Sequence, residues 1–385
     1  MSINSIPEKL ALFRQKMQSE NVDAFIAMSA DPHMSEYLPE FWQIRLWLTG
    51  FTGSVGTVVV TADFAGLWVD GRYWVQAEQQ LANTGFVLQK QTPDSKSSHL
   101  VWLKNNLNAN ALISVNGQTI SAQQFADLQK IAQFENFRIS TELDLISNIW
   151  TNRPALPNQV IWQMQDGLNA LTRTEKIQKV RSKIREEKAS AHFISALDDI
   201  AWLLNCRGKD VEYNPVFLAH LWIDAQQVVL FIDPNKVSES LANDLIADGI
   251  QISPYTDSHH FLSNQQNQSV LIDPAKVSIL HAQHVEKHNR LIEQINPSTL
   301  LKSRKHPSEI AHIRHAMQKD GVALCHFFHW LENALASQQN ISELTIDEKI
   351  TAFRAEQEGF IGLSFSTIAG FNENGALPHY RATAE

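Results

Sequence analysis

Two stretches of this chain open in the same way, and that recurrence limits the folds it can adopt. Ser5 is followed three residues later by Glu8, with Pro7 between them. This is a capping box with proline early in a helix. Leu10, Phe13 and Met17 then recur at i, i+3 and i+7, one stripe of a helix. Thr172 precedes Glu175 by the same interval, and Ile177, Val180 and Ile184 follow at the same distances from the cap. Each helix leads into a short apolar strand, DAFIAM at 23–28 and AHFISA at 191–196. Each strand is followed by a Trp/Leu-rich helix ending at glycine: LWLTG to Gly50 and IAWLLNCRG to Gly208. Further strands come next, GTVVVT and AGLWVD in the first stretch, VFLAHLWI and QVVLFID in the second. Four elements repeated in one order predict two similar α/β modules in tandem.

Proline-marked polar joints at 152–159 (NRPALPNQ) and 301–307 (LKSRKHP) separate these modules from each other and from a third segment. The expected division is 1–153, 158–301 and 306–385. In the third segment Pro307 sits in the first turn of a long helix. Ile310, Ile313 and Met317 give it an apolar face, which Leu324, Phe327, Phe328 and Leu331 extend past Gly321. A capping box of Thr345 with Glu348 announces a second helix carrying Ile350, Ala352 and Phe353 and ending near Gly359. Residues 363–370 and 376–380 then read as strands joined by a turn at 372–375. Two helices and half a hairpin do not close a core. The segment is therefore expected to begin a domain and to leave apolar surface uncovered.

At 385 residues the chain is long enough for two to three domains. With 44% hydrophobic and 19% charged residues it carries no signature of disorder. The net charge is −9 and no basic stripe occurs, which argues against nucleic acid and anionic membranes as partners. The two cysteines, Cys206 and Cys325, are far apart and define no disulfide scaffold. The polar, periodic start does not read as a secretory leader, and no apolar run approaches the roughly 20 residues of a membrane span. A cytoplasmic location is the expectation.

Three motifs carry a family resemblance. The first module contains DPHMSEYLPEFWQIRLWLTGFTGSVGTVVVT and LWVDGRYWVQAEQQL; the second contains LDDIAWLLNCRGKDVEYNPVFLAHLWID; the third segment contains GLSFSTIAGFNENGALPHY. In this order they resemble the Xaa-Pro aminopeptidases (aminopeptidase P), whose catalytic domain has the creatinase or pita-bread fold. Two modules before that domain match the longer type; prolidase and creatinase relatives carry one. The resemblance implies a metal-dependent aminopeptidase that removes the residue preceding proline from short peptides. It implies two bridged divalent ions, typically manganese, that activate a water and polarise the scissile carbonyl. It also implies a homodimer. The family's metal ligands, two Asp, one His and two Glu, lie downstream of the third motif. The chain thus looks cut off before the metal site: no residue of it is assigned as a metal ligand, and residues 1–385 alone are expected to be inactive. A different class remains open, a non-catalytic peptide- or partner-binding module of the same fold.

The resemblance also singles out two side chains. Asp70-Gly71-Arg72-Tyr73 reads from its residues as a turn between strand and helix, with a solvated arginine. In the family the matching arginine reaches toward the bound peptide, so Arg72 is a candidate substrate-binding residue. His379 stands in the pattern Asn374-Gly375-Ala376-x-x-His379-Tyr380, whose histidine lines the family's substrate pocket. An imidazole there can hydrogen-bond a peptide carbonyl or, protonated, stabilise an oxyanion, which makes His379 the candidate catalytic and substrate-binding residue. Ser366 departs from the acidic residue usual at its place.

Other chemistry is not supported. Asp198-Asp199 are adjacent and so do not face each other on a helix; a role at the helix N-terminus fits them better. In HAQHVEKH, His284 and His288 are spaced as in a zinc-protease motif, but Val285 stands where the glutamate base belongs. The pairs His312/His315 and His326/His329 lack a third ligand in register. Gly50–Gly56 is glycine-rich but lies between helix and strand, the reverse of a phosphate-binding order. No nucleophile elbow occurs. Cys325 lies on an apolar-leaning helix, a setting expected to bury it.

Overall fold

The structure, a computed structural model, describes residues 5–94 and 98–384. One compact unit comprises the chain up to Met164 together with Leu171–Ser303; the other comprises Gln165–Ala170 and the residues from Arg304 onward.

The first unit is built on two six-stranded sheets. Strands β1 (Ala24–Ala27), β2 (Thr57–Thr61), β3 (Ala65–Val69), β4 (Val87–Lys90), β5 (Leu112–Val115) and β6 (Arg138–Ser140) stand in the order β4-β3-β2-β1-β5-β6. A short strand β7 (Trp162–Gln163) follows. The second sheet contains β8 (Ala191–Ile194), then, after the short β9 (Cys206–Arg207), β10 (His220–Asp224), β11 (Val228–Phe231), β12 (Ile250–Ser253), β13 (Ser269–Ile272) and β14 (Arg290–Glu293). Its order is β12-β11-β10-β8-β13-β14. The two orders superimpose strand for strand, and so do the pairings. β1 is antiparallel to β2 and parallel to β5; β8 is antiparallel to β10 and parallel to β13. Ala24 faces Thr61 and Ile113, and Ala191 faces Asp224 and Val270, so the two alanines hold the same place. The tandem α/β duplication is thus present at the level of register.

The helices that announced each module form as expected. Ser5 and Glu8 make a reciprocal capping box on Ile6–Ser19, as Thr172 and Glu175 do on Arg173–Glu186. Leu10, Phe13 and Met17 pack into a cluster with Phe25, Val58 and Val60; Ile177, Val180 and Ile184 pack into another with Ile194, Leu221 and Leu230. Burying side chains of this size contributes about 1.5–3 kcal/mol each. A third cluster draws on both modules, with Ile113, Phe125 and Leu128 from the first and Val270, Ile272 and Ala282 from the second.

Some boundaries differ from expectation. Helix Leu197–Leu204 ends at Asn205, not Gly208. Asn205 adopts the left-handed conformation (φ 51°), and its side chain is held by the Leu171 carbonyl at 3.0 Å and the Lys176 ammonium at 2.5 Å. The chain then runs as β9 against β7. Gly208 serves packing instead: a Cβ there would lie 2.7 Å from Phe217 Cβ. The strand expected from Val216 begins only at His220, because the backbone of Leu218 turns aside to donate to Asp210.

The second unit holds the 30-residue helix Pro307–Ala336, which runs through Gly321, and helix Glu343–Ala355. The N-cap of the latter is Ser342, not Thr345: the Ser342 hydroxyl accepts from the Thr345 amide, which places Thr345 inside the first turn. The expected strands at 363–370 and 376–380 are not formed among the described residues. A strand needs a neighbour for its backbone groups, and among the described residues no strand pairs with these runs. A 3₁₀ turn, Asn372–Ala376, occupies the place of the hairpin turn. The expected apolar exposure is present, at Ile313, Met317, Phe328, Phe365 and Phe371. Cys325 is exposed rather than buried, since the buried side of its helix carries Ala323, Phe327 and Ala334.

Candidate functional site

Arg72 follows β3 at a turn closed by the Tyr73 amide donating to the Asp70 carbonyl at 3.0 Å, just before helix Trp74–Gln80. Its guanidinium is exposed and forked onto Asp70, Nε to Oδ1 at 2.9 Å and Nη2 to Oδ2 at 2.8 Å. These bonds raise its basicity further, against an opposing effect of burial. The carboxylate therefore fixes the direction in which the guanidinium points. The turn itself rests on a rigid base. Tyr73 is buried, its hydroxyl 2.7 Å from Ser54 Oγ and its ring edge-on to Phe51. Beneath the glycine-rich loop, buried Arg45 donates to the Phe51 carbonyl at 2.9 Å, to Ser29 Oγ at 2.7 Å and to the Gly53 carbonyl. Burial draws its pKa down to about 10. Gly50 caps the preceding helix at φ 74°, and a Cβ on Gly53 would meet the Phe51 ring at 2.2 Å. The loop is an architectural support for the Asp70–Arg72 turn.

His379 belongs to the second unit and is exposed. Its neighbours in the motif are gathered by one carboxylate that the sequence did not single out. Glu343 Oε2 accepts from the Tyr380 hydroxyl at 2.6 Å and from Asn374 Nδ2 at 3.2 Å, while Oε1 accepts from the Phe371 amide at 2.5 Å. The Tyr380 and Phe371 bonds hold Glu343 below the usual carboxylate range, and the same contact pushes the Tyr380 phenol up. Asn374, Tyr380 and the backbone leading to them are thus fixed to the first turn of helix Glu343–Ala355. The only sequence signal for Glu343 was an acidic residue directly after a serine cap.

Asp198 and Asp199 lie in the first turn of helix Leu197–Leu204, as expected, and point differently. Asp199 is buried and accepts from Asn296, Ser298 and Thr299, at 3.1, 3.0 and 2.9 Å. Lys302 bridges the two carboxylates. The pair anchors helix Pro297–Ser303 and is no acid–base dyad. His284 and His288 do not share a helix face, because helix Ile279–Glu286 ends before His288. Cys206 is buried, which raises its thiol to about 11. Among the described residues no group of three His, Cys, Asp or Glu side chains converges as metal ligands. The described side chains do not fit a dinuclear metal centre. No described helix is long and apolar enough to cross a membrane.

Two α/β modules of one register, followed by a largely helical segment, define the class to which this chain is to be compared. Residues 9–144 and 152–309 each match the Creatinase/Prolidase N-terminal domain, and residues 311–385 match Metallopeptidase family M24. Along its length the chain is thus similar to the creatinase/prolidase group of M24 metallopeptidases. Xaa-Pro aminopeptidase 1 of Dictyostelium discoideum is 32% identical over 98% of this chain and 62% of its own length. Aminopeptidase P2 of Arabidopsis thaliana is 30% identical over 99% of this chain and 58% of its own. The crystal structure of an X-prolyl aminopeptidase from Caenorhabditis elegans, described as a cytosolic enzyme with a di-nuclear active site, is similar with a TM-score of 0.93 at 29% identity. That likeness covers 99% of this chain and 65% of the other. This chain therefore spans 58% to 65% of the length of these three relatives.

Proposed function

We propose that the protein acts as an Xaa-Pro aminopeptidase, a metallo-exopeptidase that removes the N-terminal residue from short peptides with proline in second position. One observation carries this reading: three domain matches in one order, within relatives of that name aligned over nearly the whole chain. The chemistry favours a dedicated enzyme, because the Xaa-Pro bond is a tertiary amide with a fixed φ. We assign two divalent ions, manganese by preference, to the whole protein and assign none of their ligands to the described residues. On this reading residues 1–385 alone do not hydrolyse peptides.

Arg72, oriented by Asp70, is assigned to the peptide's carboxylate or carbonyl groups, for which a guanidinium fork is well shaped. His379, held beside the Asn374–Tyr380–Glu343 cluster, is assigned to the substrate carbonyl. The division 1–153, 158–301 and 306–385 gives two modules that limit access to short peptides and the beginning of a catalytic domain. A cytoplasmic location and a homodimer complete the reading. The alternative of a different class is a non-catalytic peptide- or partner-binding module of the same fold.

The test is to isolate the native protein from its source cells, measure its intact mass, and assay an Xaa-Pro peptide with manganese and then with a chelator. Cleavage abolished by the chelator supports the aminopeptidase. A manganese-supplemented native protein that binds the peptide without cleaving it overturns that reading in favour of the binding module. Cleavage by residues 1–385 alone refutes the assignment of the metal ligands.

A further inference from the structure

Five histidines lie ring to ring inside the first unit, and nothing in the proposed function uses them. His33, from the loop after β1, stacks on His220 of β10 at 4.5 Å. His220 lies 4.3 Å from His281, His281 stacks on His259 at 4.1 Å, and His259 lies 5.0 Å from His284. His33, His220 and His281 are each only 1% exposed. His33 comes from the first module and the other four from the second, so the stack crosses the seam between them.

The seam is made at the same place by backbone. Ala122 and Gln123 donate to the carbonyls of Val277 and Pro274, both at 2.9 Å. Ile279 and Leu280 donate back to Ile120 and Gly117, at 2.9 and 3.1 Å. Ser278, within this stretch, bonds His281 Nδ1 at 2.8 Å and so ties the stack to the seam.

We propose that this stack is a proton-operated latch between the two modules, closed while its imidazoles are neutral and released when they take up protons. The hydrogen bonds suit neutral rings. His33 Nδ1 lies 2.8 Å from the Ser195 carbonyl and its Nε2 2.8 Å from the Tyr255 hydroxyl. His220 bonds Ser195 Oγ, His281 bonds Ser278 and Ser258, and His284 bonds Ser263. Hydroxyls and a carbonyl can satisfy an imidazole without stabilising a second or third charge.

The charged groups that face the stack act in both senses at its two ends and leave its middle uncompensated. Asp31 accepts from the His33 amide at 2.9 Å, and its second oxygen is buried without a hydrogen-bond partner among the described residues. It offers compensation for a proton on His33 alone. Lys236, paired with Asp210 at 2.6 Å, opposes that proton. Tyr255 stays neutral, its phenol pushed far up by burial and then by Asp31 and Asp210. At the other end Lys287 opposes and Glu142 favours a charge on His284. Around His220 and His281 the neighbours that bear on ionisation are other histidines, so successive protons repel. Two of the four ring contacts are stacked and two are tilted, and among the described residues no three of these side chains converge as metal ligands.

Burial lowers all five rings, and His259 to about 4. The closed seam therefore binds fewer protons than the open one. Its stability is complete above the ordinary histidine value of 6.5, falls as pH drops below it, and is lost through the depressed values near 4. Between pH 7 and pH 5 a single ring shifted that far changes the closed-to-open ratio by about 25-fold.

The experiment is amide hydrogen exchange of the whole chain at pH 7 and pH 5, corrected for intrinsic rates. The amides of Ala122, Gln123, Ile279 and Leu280 report the seam; those of β2 and β11 report the sheets. We expect the exchange of the seam amides to rise at pH 5 by at least about tenfold more than that of the sheets. His33→Gln and His220→Gln should each reduce that rise. Unchanged seam protection at pH 5 overturns the proposal without need of any variant. So does a rise shared equally by the sheets, or one of full size in a variant that keeps the native far-UV spectrum at pH 7.

Discussion

Ser121 and Ser278 face each other across an antiparallel bridge, and each is the N-cap of a helix in its own module. Ser121 accepts from the Gln124 amide and Ser278 from the His281 amide. The two caps occupy matching places in the duplicated register, after β5 and after β13. The modules thus meet where their equivalent helices begin, and a residue that starts a helix also shapes the seam.

This double use predicts coupling. Ser121→Ala and Ser278→Ala should each cost about 1 kcal/mol, the usual value of a cap. Because they are in contact, the double variant should depart from the sum by about 0.5 kcal/mol or more. Urea unfolding of the four proteins measures the difference. Strict additivity would show that the bridge transmits nothing between the modules.

Asp198 and Asp199 are adjacent in sequence and should behave differently. Asp199 is 1% exposed, with three side-chain donors and Lys302 around it. Removing it as Asp199→Ala leaves Asn296, Ser298 and Thr299 without their acceptor and Lys302 with Asp198 alone, for a loss of about 3 kcal/mol. Asp198 is exposed, and Asp198→Ala should cost no more than about 1 kcal/mol. Equal effects on denaturant midpoint would contradict the anchoring role of the buried carboxylate.

Glu343 sets the third test. Glu343→Ala removes the acceptor for the Phe371 amide, Asn374 and the Tyr380 hydroxyl. The Phe371 amide should then exchange several-fold faster, since it loses a charge-assisted acceptor. In the unaltered chain the tether is complete above the ordinary glutamate value of 4.5 and is lost as pH falls through the lower value of the folded state. An NMR titration of the Phe371 amide that shows no change below pH 4.5 would remove Glu343 from this role.

What was legible in the sequence follows from how far apart the interacting residues are. Capping boxes and helical stripes are contained within a dozen residues, so Ser5–Met17 and Thr172–Ile184 could be read directly, and their repetition implied the two modules. The end of helix Leu197–Leu204 was misplaced because asparagine serves as a left-handed cap as well as glycine does. Ser342 and Thr345 both satisfy a cap pattern, and only the geometry of the first turn separates them. The histidine stack was legible only as the pair His281 and His284 within HAQHVEKH: His33, His220 and His259 come from separate segments, and the fold brings them together. Arg72 and His379 were named through family likeness. What the structure adds is the carboxylates that hold their surroundings, Asp70 and Glu343.

The duplicated register gives the sharpest comparison. Phe25 faces Val60 on β2, and His192 faces Ile223 on β10, so the histidine stands where the first module has phenylalanine. Phe25 packs edge-on against Phe13 at 4.8 Å. His192 is equally buried, with Nδ1 2.9 Å from the Leu271 carbonyl and Nε2 lacking a partner among the described residues. Burial brings its pKa down to about 4, against a smaller opposing effect of the Leu271 carbonyl and Asp199. The folded chain therefore keeps this ring neutral, while the unfolded chain protonates it below about 6.5. Stability from this site is complete above 6.5 and is lost as pH falls toward 4. His192→Phe should shift stability by some constant amount through the lost carbonyl bond and the altered volume. It should also remove about 2 kcal/mol of the decline between pH 7 and pH 5. Unfolding free energies of both proteins across that range separate the constant part from the slope. Parallel curves would mean that His192 does not titrate with unfolding.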